Sequence, residues 1–401
     1  MDKKYFHNAR LIYPTEIVDN SYVYVEGKQI ISCGQGGINV SSDTLQIDVM
    51  GNYLSPGFID LHVHGGGGHD FMDGTTEAFL KIAETHVQFG TTGMCPTTLT
   101  ADRENLFSVL DAYANSLVLN KKGSTFLGMH LEGPYLAMSQ RGAQDPKYIR
   151  NPDPKEYRSI LTYSAHIVRW SAAPELPGAL EFAKYLTSKN VLVALAHTDA
   201  IYEEVVEGFN HGFSLATHFY SAMSGITRKN ATRYAGVIEA GYLIDEMDVE
   251  IIADGIHVPA PLLKLIYKIK GADHIALITD SMRAAAMPEG PSILGRKEDG
   301  LAVIVEDAVA KLPDRSAFAG SVATMDKLLR NYINLADVSL TEVIKMMSLT
   351  PARILKIEDT KGSISTNKDA DLVILNNQLQ VMMTIVEGDI KYQRKGIFNN
   401  E

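Results

Sequence analysis

The chain has 401 residues, of which 45% are hydrophobic and 21% are charged, a composition typical of globular proteins. Collagen-like repeats, coiled coils and long disordered tails are excluded by this composition. The formal net charge of −11 argues against a general nucleic-acid-binding or anionic-membrane surface. A small phosphorylated ligand stays compatible with this charge, because it needs only a few local positive groups.

The two cysteines, Cys33 and Cys95, are too few for a disulfide framework and form no CxxC metal pattern. They suit a reducing compartment. The N-terminal segment lacks the apolar stretch of a signal peptide, and no run of about 18 apolar residues predicts a transmembrane helix. We therefore expect a cytoplasmic protein with no nucleic-acid partner and no membrane partner.

Short segments with alternating apolar residues at both ends of the chain predict β-strands. Residues 22–31 contain two such segments around a glycine-containing turn and predict a hairpin. Residues 371–375 and 381–386 show a similar pattern. We expect a small β-sandwich domain formed by residues 1–55 together with residues 360–401. The alternative is two unrelated strand clusters at a surface.

The middle of the chain, residues 56–359, alternates short apolar segments with amphipathic ones. Eight apolar segments end in polar or small residues, at residues 57–64, 92–97, 126–132, 167–174, 191–197, 213–218, 249–254 and 274–280. The amphipathic stretches between most of them predict helices. Eight strand–loop–helix repeats predict an α/β fold, a (β/α)8 barrel of the TIM type. A doubly wound open sheet would accommodate only five or six of the segments.

Potential metal ligands stand at the carboxyl ends of the predicted strands, where the active sites of such barrels lie. These side chains are His62, His64, His130, Glu132, His197, His218, Asp254, His257 and Asp280. A single histidine at a strand end is commonly structural, but ligand-type residues at six strand ends are not expected by chance. His62 and His64 are two residues apart in a strand and point to the same face. Imidazoles and carboxylates together suit zinc or another borderline divalent metal.

Eight segments carry a resemblance to a known family: PGFIDLHVHGGGGHDFMDG, MHLEGPYL, LAHTDA, ATHFYSAM, IADGIHV, ITD, FAGS and LTPARILKIEDTKGSISTNKDADLVIL. In these segments, which span nearly the whole chain, the sequence resembles the amidohydrolase superfamily and, within it, the N-acetylglucosamine-6-phosphate deacetylases. The resemblance implies a metal-bearing barrel with a β-sandwich made from both termini. It also implies a hydrolase of amino-sugar catabolism that converts N-acetylglucosamine-6-phosphate to glucosamine-6-phosphate and acetate.

The resemblance implies a set of metal ligands. Glu132, His197 and His218 would bind one ion, and His62 and His64 would provide room for a second ion bridged through Glu132. Some branches of the superfamily carry a carboxylated lysine on the fourth strand, but residues 167–174 contain no lysine. We expect one or two divalent ions per subunit. Zinc is favoured, while iron, cobalt and manganese accept the same ligands.

Asp280 is implied to be the catalytic residue. It would take a proton from the attacking water and pass it to the departing amine, acting as a base and then as an acid. The structural alternative is a turn-forming aspartate in the TDS segment.

The resemblance also implies substrate contacts and a homodimer. Arg233 matches an arginine that reaches the sugar phosphate in the neighbouring active site, and a guanidinium suits phosphate because it binds two oxygens at once. The alternative for Arg233 is an ordinary surface arginine. The other implied contacts are Ala143, Gln144, Ser221, Ala222, His257, Phe318, Ala319 and Gly320. Among them, the backbone N–H groups of Ser221 and Ala222 would help to hold the phosphate.

Two positions depart from the family pattern. The family's FNAM reads YSAM here, so Ser221 replaces an asparagine, and the family's KKGxH reads QRGAQ, so Gln144 replaces a histidine near the scissile amide. A glutamine is neutral and polarises the acetyl carbonyl less, so we hypothesise that the second metal takes over that role. Alternatively, the two changes adapt the pocket to N-acetylgalactosamine-6-phosphate, to another N-acetylated sugar or to an unphosphorylated amide. An inactive scaffold barrel is disfavoured because all the expected ligands are present.

Overall fold

The structure is a computed structural model that describes residues 2–396. Residues 1 and 397–401 of the predicted terminal β-domain lie outside the described residues. The strands are β1 (Lys3–Ile12), β2 (Ile17–Glu26), β3 (Gln29–Gln35), β4 (Leu45–Asp48), β5 (Tyr53–Pro56), β6 (Phe58–Val63), β7 (Gly65–Gly66), β8 (His69–Asp70), β9 (Thr91–Thr98), β10 (Thr125–Phe126), β11 (Met129–Glu132), β12 (Ile167–Ala172), β13 (Leu192–Leu195), β14 (Phe213–Ala216), β15 (Thr227–Lys229), β16 (Thr232–Tyr234), β17 (Asp248–Ile251), β18 (Ile275–Leu277), β19 (Gly290–Leu294), β20 (Leu301–Glu306), β21 (Val309–Lys311), β22 (Phe318–Ser321), β23 (Leu372–Leu375), β24 (Val381–Val386) and β25 (Asp389–Gln393).

The helices surround the barrel and bury one face each. They are α1 (Thr76–His86), α2 (Arg103–Leu119), α3 (Pro154–Tyr163), α4 (Ala179–Ser188), α5 (Tyr202–Asn210), α6 (Val237–Leu243), α7 (Ala260–Lys270), α8 (Met325–Ala336), α9 (Leu340–Met347) and α10 (Leu349–Ile354). In α4, Ala179, Phe182, Ala183 and Leu186 are buried, which is the three- and four-residue spacing of an amphipathic helix. Within residues 2–396, none of the helices has the length and apolar character that crossing a membrane requires.

Eight parallel strands form the barrel, in the order β6, β9, β11, β12, β13, β14, β17 and β18. The ring closes where β6 meets the segment after β18: the N–H of Asp280 donates to the carbonyl of His62 at 2.9 Å. Asp60 strengthens this closure, because its carboxylate accepts from the hydroxyl of Thr279 at 2.5 Å and from the backbone N–H of Thr279 at 3.2 Å. The eight predicted apolar segments coincide with these eight strands, so the predicted (β/α)8 barrel is confirmed.

Strands from both chain ends form one sheet, in the order β25-β24-β23-β5-β1-β2-β3, with β4 paired to β1. The pairing is mostly antiparallel, and β5 meets β23 directly. Phe6, Val23 and Leu54 from the N-terminal strands share a buried core with Leu372 and Ile374 from β23. The expected joining of the two termini is therefore present, while the domain boundaries at 55/56 and 359/360 stay predictions.

A small antiparallel sheet that the sequence pattern does not predict stands at the carboxyl end of the barrel. It comprises β19 to β22, paired in chain order. Its apolar core includes Leu294, Val303 and Val305, which pack with Met282 from the segment after β18. The N–H of Ser321 in β22 donates to the carbonyl of Asp280 at 2.8 Å, so this sheet is attached directly to the closing seam of the barrel.

A buried ion-pair cluster attaches the terminal sheet to the barrel. The Nζ of Lys361 lies 2.7 Å from Oδ2 of Asp371 and 2.9 Å from Oδ2 of Asp369. Asp371 also accepts from the N–H of Glu387 through its side chain and from the N–H of Gly57 through its carbonyl, both at 2.8 Å. Asp371 thus links the segment after α10, the turn between β24 and β25, and the start of the first barrel strand.

We predict that Lys361→Met destabilises the protein by about 3 to 5 kcal/mol, because it leaves buried carboxylates without their cation. The matched control is Lys81→Met, which breaks the exposed ion pair of Lys81 with Glu84, where the side chains are 52% and 32% exposed. This control is expected to change stability by less than about 0.5 kcal/mol. Chemical denaturation of both variants measures the difference, and equal small effects would contradict the prediction.

Candidate active site

His62 in β6 and His64 just after it point into the mouth of the barrel, as their spacing predicts. The Nε2 atoms of His62 and His64 are 3.1 Å apart. Both atoms also approach Oδ1 of Asp280, at 3.4 Å from His62 and 3.2 Å from His64. Asp280 follows β18, so the closing seam of the barrel brings these three side chains together.

Glu132, at the end of β11, lies at the centre of the cluster. Its Oε1 is 2.9 Å from Nε2 of His218 and 3.3 Å from Nε2 of His197. Its Oε2 is 3.4 Å from Nε2 of His64. The ligand atoms form two groups that share this carboxylate, one with His62 and His64 and one with His197 and His218. Within each group the ligand atoms lie within 4.8 Å of one another. Side chains from five strand ends therefore converge as the sequence predicts.

The donor atoms in this cluster fit a divalent metal ion of borderline character. Each group offers two imidazole nitrogens and one carboxylate oxygen, the ligand types that such ions prefer. The second ring nitrogens face carbonyl oxygens in two cases: Nδ1 of His197 lies 2.7 Å from the carbonyl of Gln140, and Nδ1 of His64 lies 3.3 Å from the carbonyl of Thr97. These contacts leave Nε2 free to bind a metal.

The backbone is left-handed at three of these positions. His197, His218 and Asp280 have φ values of 46°, 34° and 46°. A residue other than glycine pays about 1 to 2 kcal/mol for this conformation. All three stand just after a barrel strand, where the chain turns away. Strain of this kind persists where the surrounding structure enforces it, and it concentrates at functional sites.

Burial and charge together shape the electrostatics of the cluster. Burial disfavours the ionised form of Glu132, but the surrounding imidazoles, His62 foremost, hold its pKa well below the ordinary value. The pKa of Asp280 is lowered in the same way, against burial, to about 2 by His62 and His64. For His64, burial is outweighed by Asp280 and Glu132, which raise the pKa to about 10. The two carboxylates are therefore ionised at neutral pH, and their negative charge favours the binding of a cation.

A buried charged pair supports His62 from the interior of the barrel. Arg169 and Glu250 are both completely buried and form a two-point ion pair, with Nη2 of Arg169 2.7 Å from Oε2 of Glu250. The same Oε2 lies 3.9 Å from Nδ1 of His62. Arg169 also donates to the carbonyl of Leu61 at 3.0 Å. This pair was not among the predicted site residues, although a charged side chain within each of two apolar segments was a signal for it.

His130 is a strand-end histidine whose ring nitrogens bond outside the ligand cluster, although its ring packs edge-on against that of His62 with centroids 4.7 Å apart. Its Nδ1 lies 3.2 Å from Oγ1 of Thr97, and its Nε2 lies 2.7 Å from Oγ of Ser171. Burial and Arg169 lower its pKa well below the ordinary value, so it is neutral. His130 is therefore a hydrogen-bonded residue of the barrel interior.

A cavity of about 400 Å³ opens onto the cluster. Its lining includes twelve of the predicted site residues: His64, Glu132, Ala143, Gln144, His197, His218, Ser221, Ala222, His257, Asp280, Phe318 and Gly320. His62 lies behind the cavity wall and reaches the cluster through Nε2. Ala319 is completely buried and does not line the cavity, and Arg233 lies exposed in the hairpin of β15 and β16.

The predicted contacts at the far end of the cavity are held by their own neighbours. Nδ1 of His257 lies 2.7 Å from Oδ2 of Asp254, and its ring packs on Phe318 with centroids 4.6 Å apart. The N–H of Ser221 donates to the carbonyl of His218 at 2.8 Å, so it is engaged within the chain. Of the two predicted backbone phosphate contacts, the N–H of Ala222 is the one without such a bond among the described residues.

The loop after β11, residues 137–144, folds back over the cluster. The N–H of Ala137 donates to the carbonyl of His197 at 2.8 Å, and the amide of Gln140 donates to Asp199 at 2.6 Å. Gln144, at the end of the loop, donates through Nε2 to Oε2 of Glu132 at 2.8 Å. This loop therefore contacts both a histidine of the cluster and the shared carboxylate.

Comparison with known proteins agrees with this geometry. The chain is 34% identical over 349 residues to N-acetylglucosamine-6-phosphate deacetylase of Lysinibacillus sphaericus, covering 87% of this chain and 88% of that protein. It is 33% identical over 338 residues to N-acetylgalactosamine-6-phosphate deacetylase of Escherichia coli O157:H7, covering 84% of this chain and 87% of that protein.

A solved structure shares the fold over nearly the full length of this chain. It is an aspartate-to-alanine variant of N-acetyl-D-glucosamine-6-phosphate deacetylase from Mycobacterium smegmatis, in complex with N-acetyl-D-glucosamine-6-phosphate. The TM-score is 0.89 at 26% identity, and the match covers 98% of this chain and 100% of that chain. The model of the amidohydrolase family matches residues 53–391. Since this match spans the barrel and every predicted ligand, the chain belongs to the amidohydrolase family.

Proposed function

We propose that this chain is a metal-dependent hydrolase that removes the N-acetyl group of N-acetylglucosamine-6-phosphate, giving glucosamine-6-phosphate and acetate. The observation that carries the proposal is the convergence of four histidines on Glu132 and Asp280 beside a cavity of about 400 Å³. A relative with this activity in its name is 34% identical over 87% of the chain. The reaction belongs to amino-sugar catabolism, which we assign to the cytoplasm.

The residues of the cluster have different roles in the reaction. When bound, a divalent cation, zinc in our proposal, lowers the pKa of a water molecule and polarises the acetyl carbonyl. Glu132, His197 and His218 would hold one ion, and His62 and His64 would hold a second one beside the same carboxylate. Asp280 is ionised, so it can accept the proton of the attacking water and then deliver it to the departing amine.

The phosphate of the substrate requires positive charge that the cavity does not supply. Among the described residues that line it there is no lysine or arginine. Arg233, on an exposed hairpin, is therefore proposed to reach the phosphate in the neighbouring subunit of a homodimer. The N–H of Ala222 and the imidazole of His257 would complete this end of the site.

A second candidate substrate is N-acetylgalactosamine-6-phosphate. A relative named for that activity is 33% identical over 84% of this chain, nearly as similar as the glucosamine relative. Gln144 and Ser221 both line the cavity at positions where this chain departs from the pattern of the glucosamine enzymes. The two sugars differ in one hydroxyl configuration, so either position can affect the choice.

We predict that the purified protein releases acetate from N-acetylglucosamine-6-phosphate with a kcat/KM at least about tenfold above that for the galactosamine epimer. A tenfold ratio corresponds to a difference of about 1.4 kcal/mol in transition-state stabilisation. A chelator should abolish the release and zinc should restore it. Acetate is measured with both epimers and with unphosphorylated N-acetylglucosamine. A preference for the galactosamine epimer would favour the second candidate, and no release from either phosphate would exclude both.

We predict that Asp280→Asn lowers kcat by about 10² to 10⁴, because the variant cannot move the proton. Substrate affinity and metal content should stay close to those of the parent protein, since the amide keeps the shape of the side chain. Steady-state kinetics and elemental analysis measure the three quantities. A kcat within a few fold of the parent value would exclude Asp280 as the proton carrier.

We predict that Arg233→Ala raises KM about 10- to 100-fold, which corresponds to the loss of one hydrogen bond to a charged group. The control is Arg228→Ala, which removes the arginine paired with Arg233 across the hairpin. Mixed subunits of Arg233→Ala and Asp280→Asn should recover activity, because one site of the heterodimer then receives Arg233 from the other subunit. Failure to recover would contradict action across a dimer.

A further inference from the structure

Gln144 is buried at the boundary between two cavities. Its side chain is 4% exposed. It lines both the active-site cavity and an adjoining cavity of about 260 Å³, and Leu99, Ala143 and Leu294 line both as well. A polar side chain in this position must satisfy its hydrogen bonds within the protein. The partners that it finds there indicate its role.

Both ends of the Gln144 amide are engaged. Its Oε1 accepts from the backbone N–H of Thr100 at 2.8 Å, and its Nε2 donates to Oε2 of Glu132 at 2.8 Å. The N–H of Thr100 can only donate and the ionised Glu132 can only accept, so the two partners define which end of the amide is the donor. The N–H of Thr100 is a buried main-chain group two residues after β9, so Gln144 connects the backbone of the barrel to the shared carboxylate.

The bond fixes the rotation of the Glu132 carboxylate. With Oε2 held by Gln144, this oxygen stays 3.4 Å from Nε2 of His64, and Oε1 faces His218 and His197 at 2.9 and 3.3 Å. Oε1 also lies 3.7 Å from Nε2 of His62, so Oε2 is the oxygen that is directed at His64. Without the donor, the carboxylate can turn about its last bond and move Oε2 away from His64.

We propose that Gln144 is a positioning residue that holds Oε2 of Glu132 towards His64 and so preserves the second metal position. The amide is neutral at every pH, so it holds the carboxylate without repelling a cation. A protonated imidazole in the same place would repel it. This inference rests on the proposed function only in assigning the cluster to metal binding. Because its amide bonds to Thr100 and Glu132, Gln144 is not assigned the polarising of the acetyl carbonyl, which the second metal is hypothesised to take over.

The test is a titration of the metal-free protein with cobalt(II), followed by its visible absorption, and with zinc in competition with a chromophoric chelator. The parent protein is expected to bind two ions per subunit. Gln144→Met, which keeps the volume but removes the donor, should weaken the second ion about 10- to 100-fold and change the first one less. Gln144→Ala should behave in the same way.

The control is Asn105→Ala, which removes an amide that lines the adjoining cavity. It should bind both ions like the parent protein. The first ion is the internal reference that separates a positioning role from general damage to the site, because general damage weakens both ions while loss of positioning weakens mainly the second. Binding of two ions with parent affinities by Gln144→Met would overturn the proposal, and so would a parent protein that binds a single ion.

The titration needs no substrate, so its result is independent of the substrate assays. Loss of the second ion in Gln144→Met without acetate release by the parent protein would leave the positioning role standing and remove the proposed substrate. If the parent protein releases acetate but Gln144→Met binds both ions normally, the proposed substrate stands and the positioning role is removed.

Discussion

The carboxylate of Glu132 is buried, ionised and surrounded by imidazoles, and the mouth of the barrel is arranged around it. A buried negative charge is costly unless opposite charge or hydrogen bonds surround it. Here four histidines from three parts of the chain approach its two oxygens, and Gln144 donates to one of them. The negative charges of Glu132 and Asp280, beside imidazole nitrogens that can act as ligands, make this a place where a divalent cation is favourable.

This arrangement depends on how the barrel closes. His62 and Asp280 stand on opposite sides of the seam and are joined through their backbones, while Asp60 and Thr279 bond one layer below. Any displacement of the seam would therefore move these two side chains of the cluster relative to each other. Beneath them, the ion pair of Arg169 and Glu250 crosses the barrel interior, and Arg169 donates to the carbonyl of Leu61, the residue before His62. Fold stability and site geometry thus rest on the same contacts.

The barrel and its ligand positions could be predicted from sequence because both depend on local pattern. Apolar segments set the strands, and in a parallel barrel every strand end reaches the same rim. The contact between Gln144 and Glu132 could not be predicted, since it depends on how residues 137–144 fold back. The strands β19–β22 were missed because glycine and proline interrupt the segment and hairpin pairing decides its structure. The role proposed for Arg233 involves a second chain, which a single sequence does not describe.

The eight-stranded terminal sheet also has a consequence for biosynthesis. Strand β5 pairs with β1 on one side and with β23 on the other, and these partners are separated by more than 300 positions in the chain. At roughly 5 to 20 residues per second, β5 leaves the ribosome on the order of half a minute before β23 does. During translation the nascent N-terminal strands therefore carry an open edge, and folding of this layer is completed after synthesis of nearly the whole polypeptide.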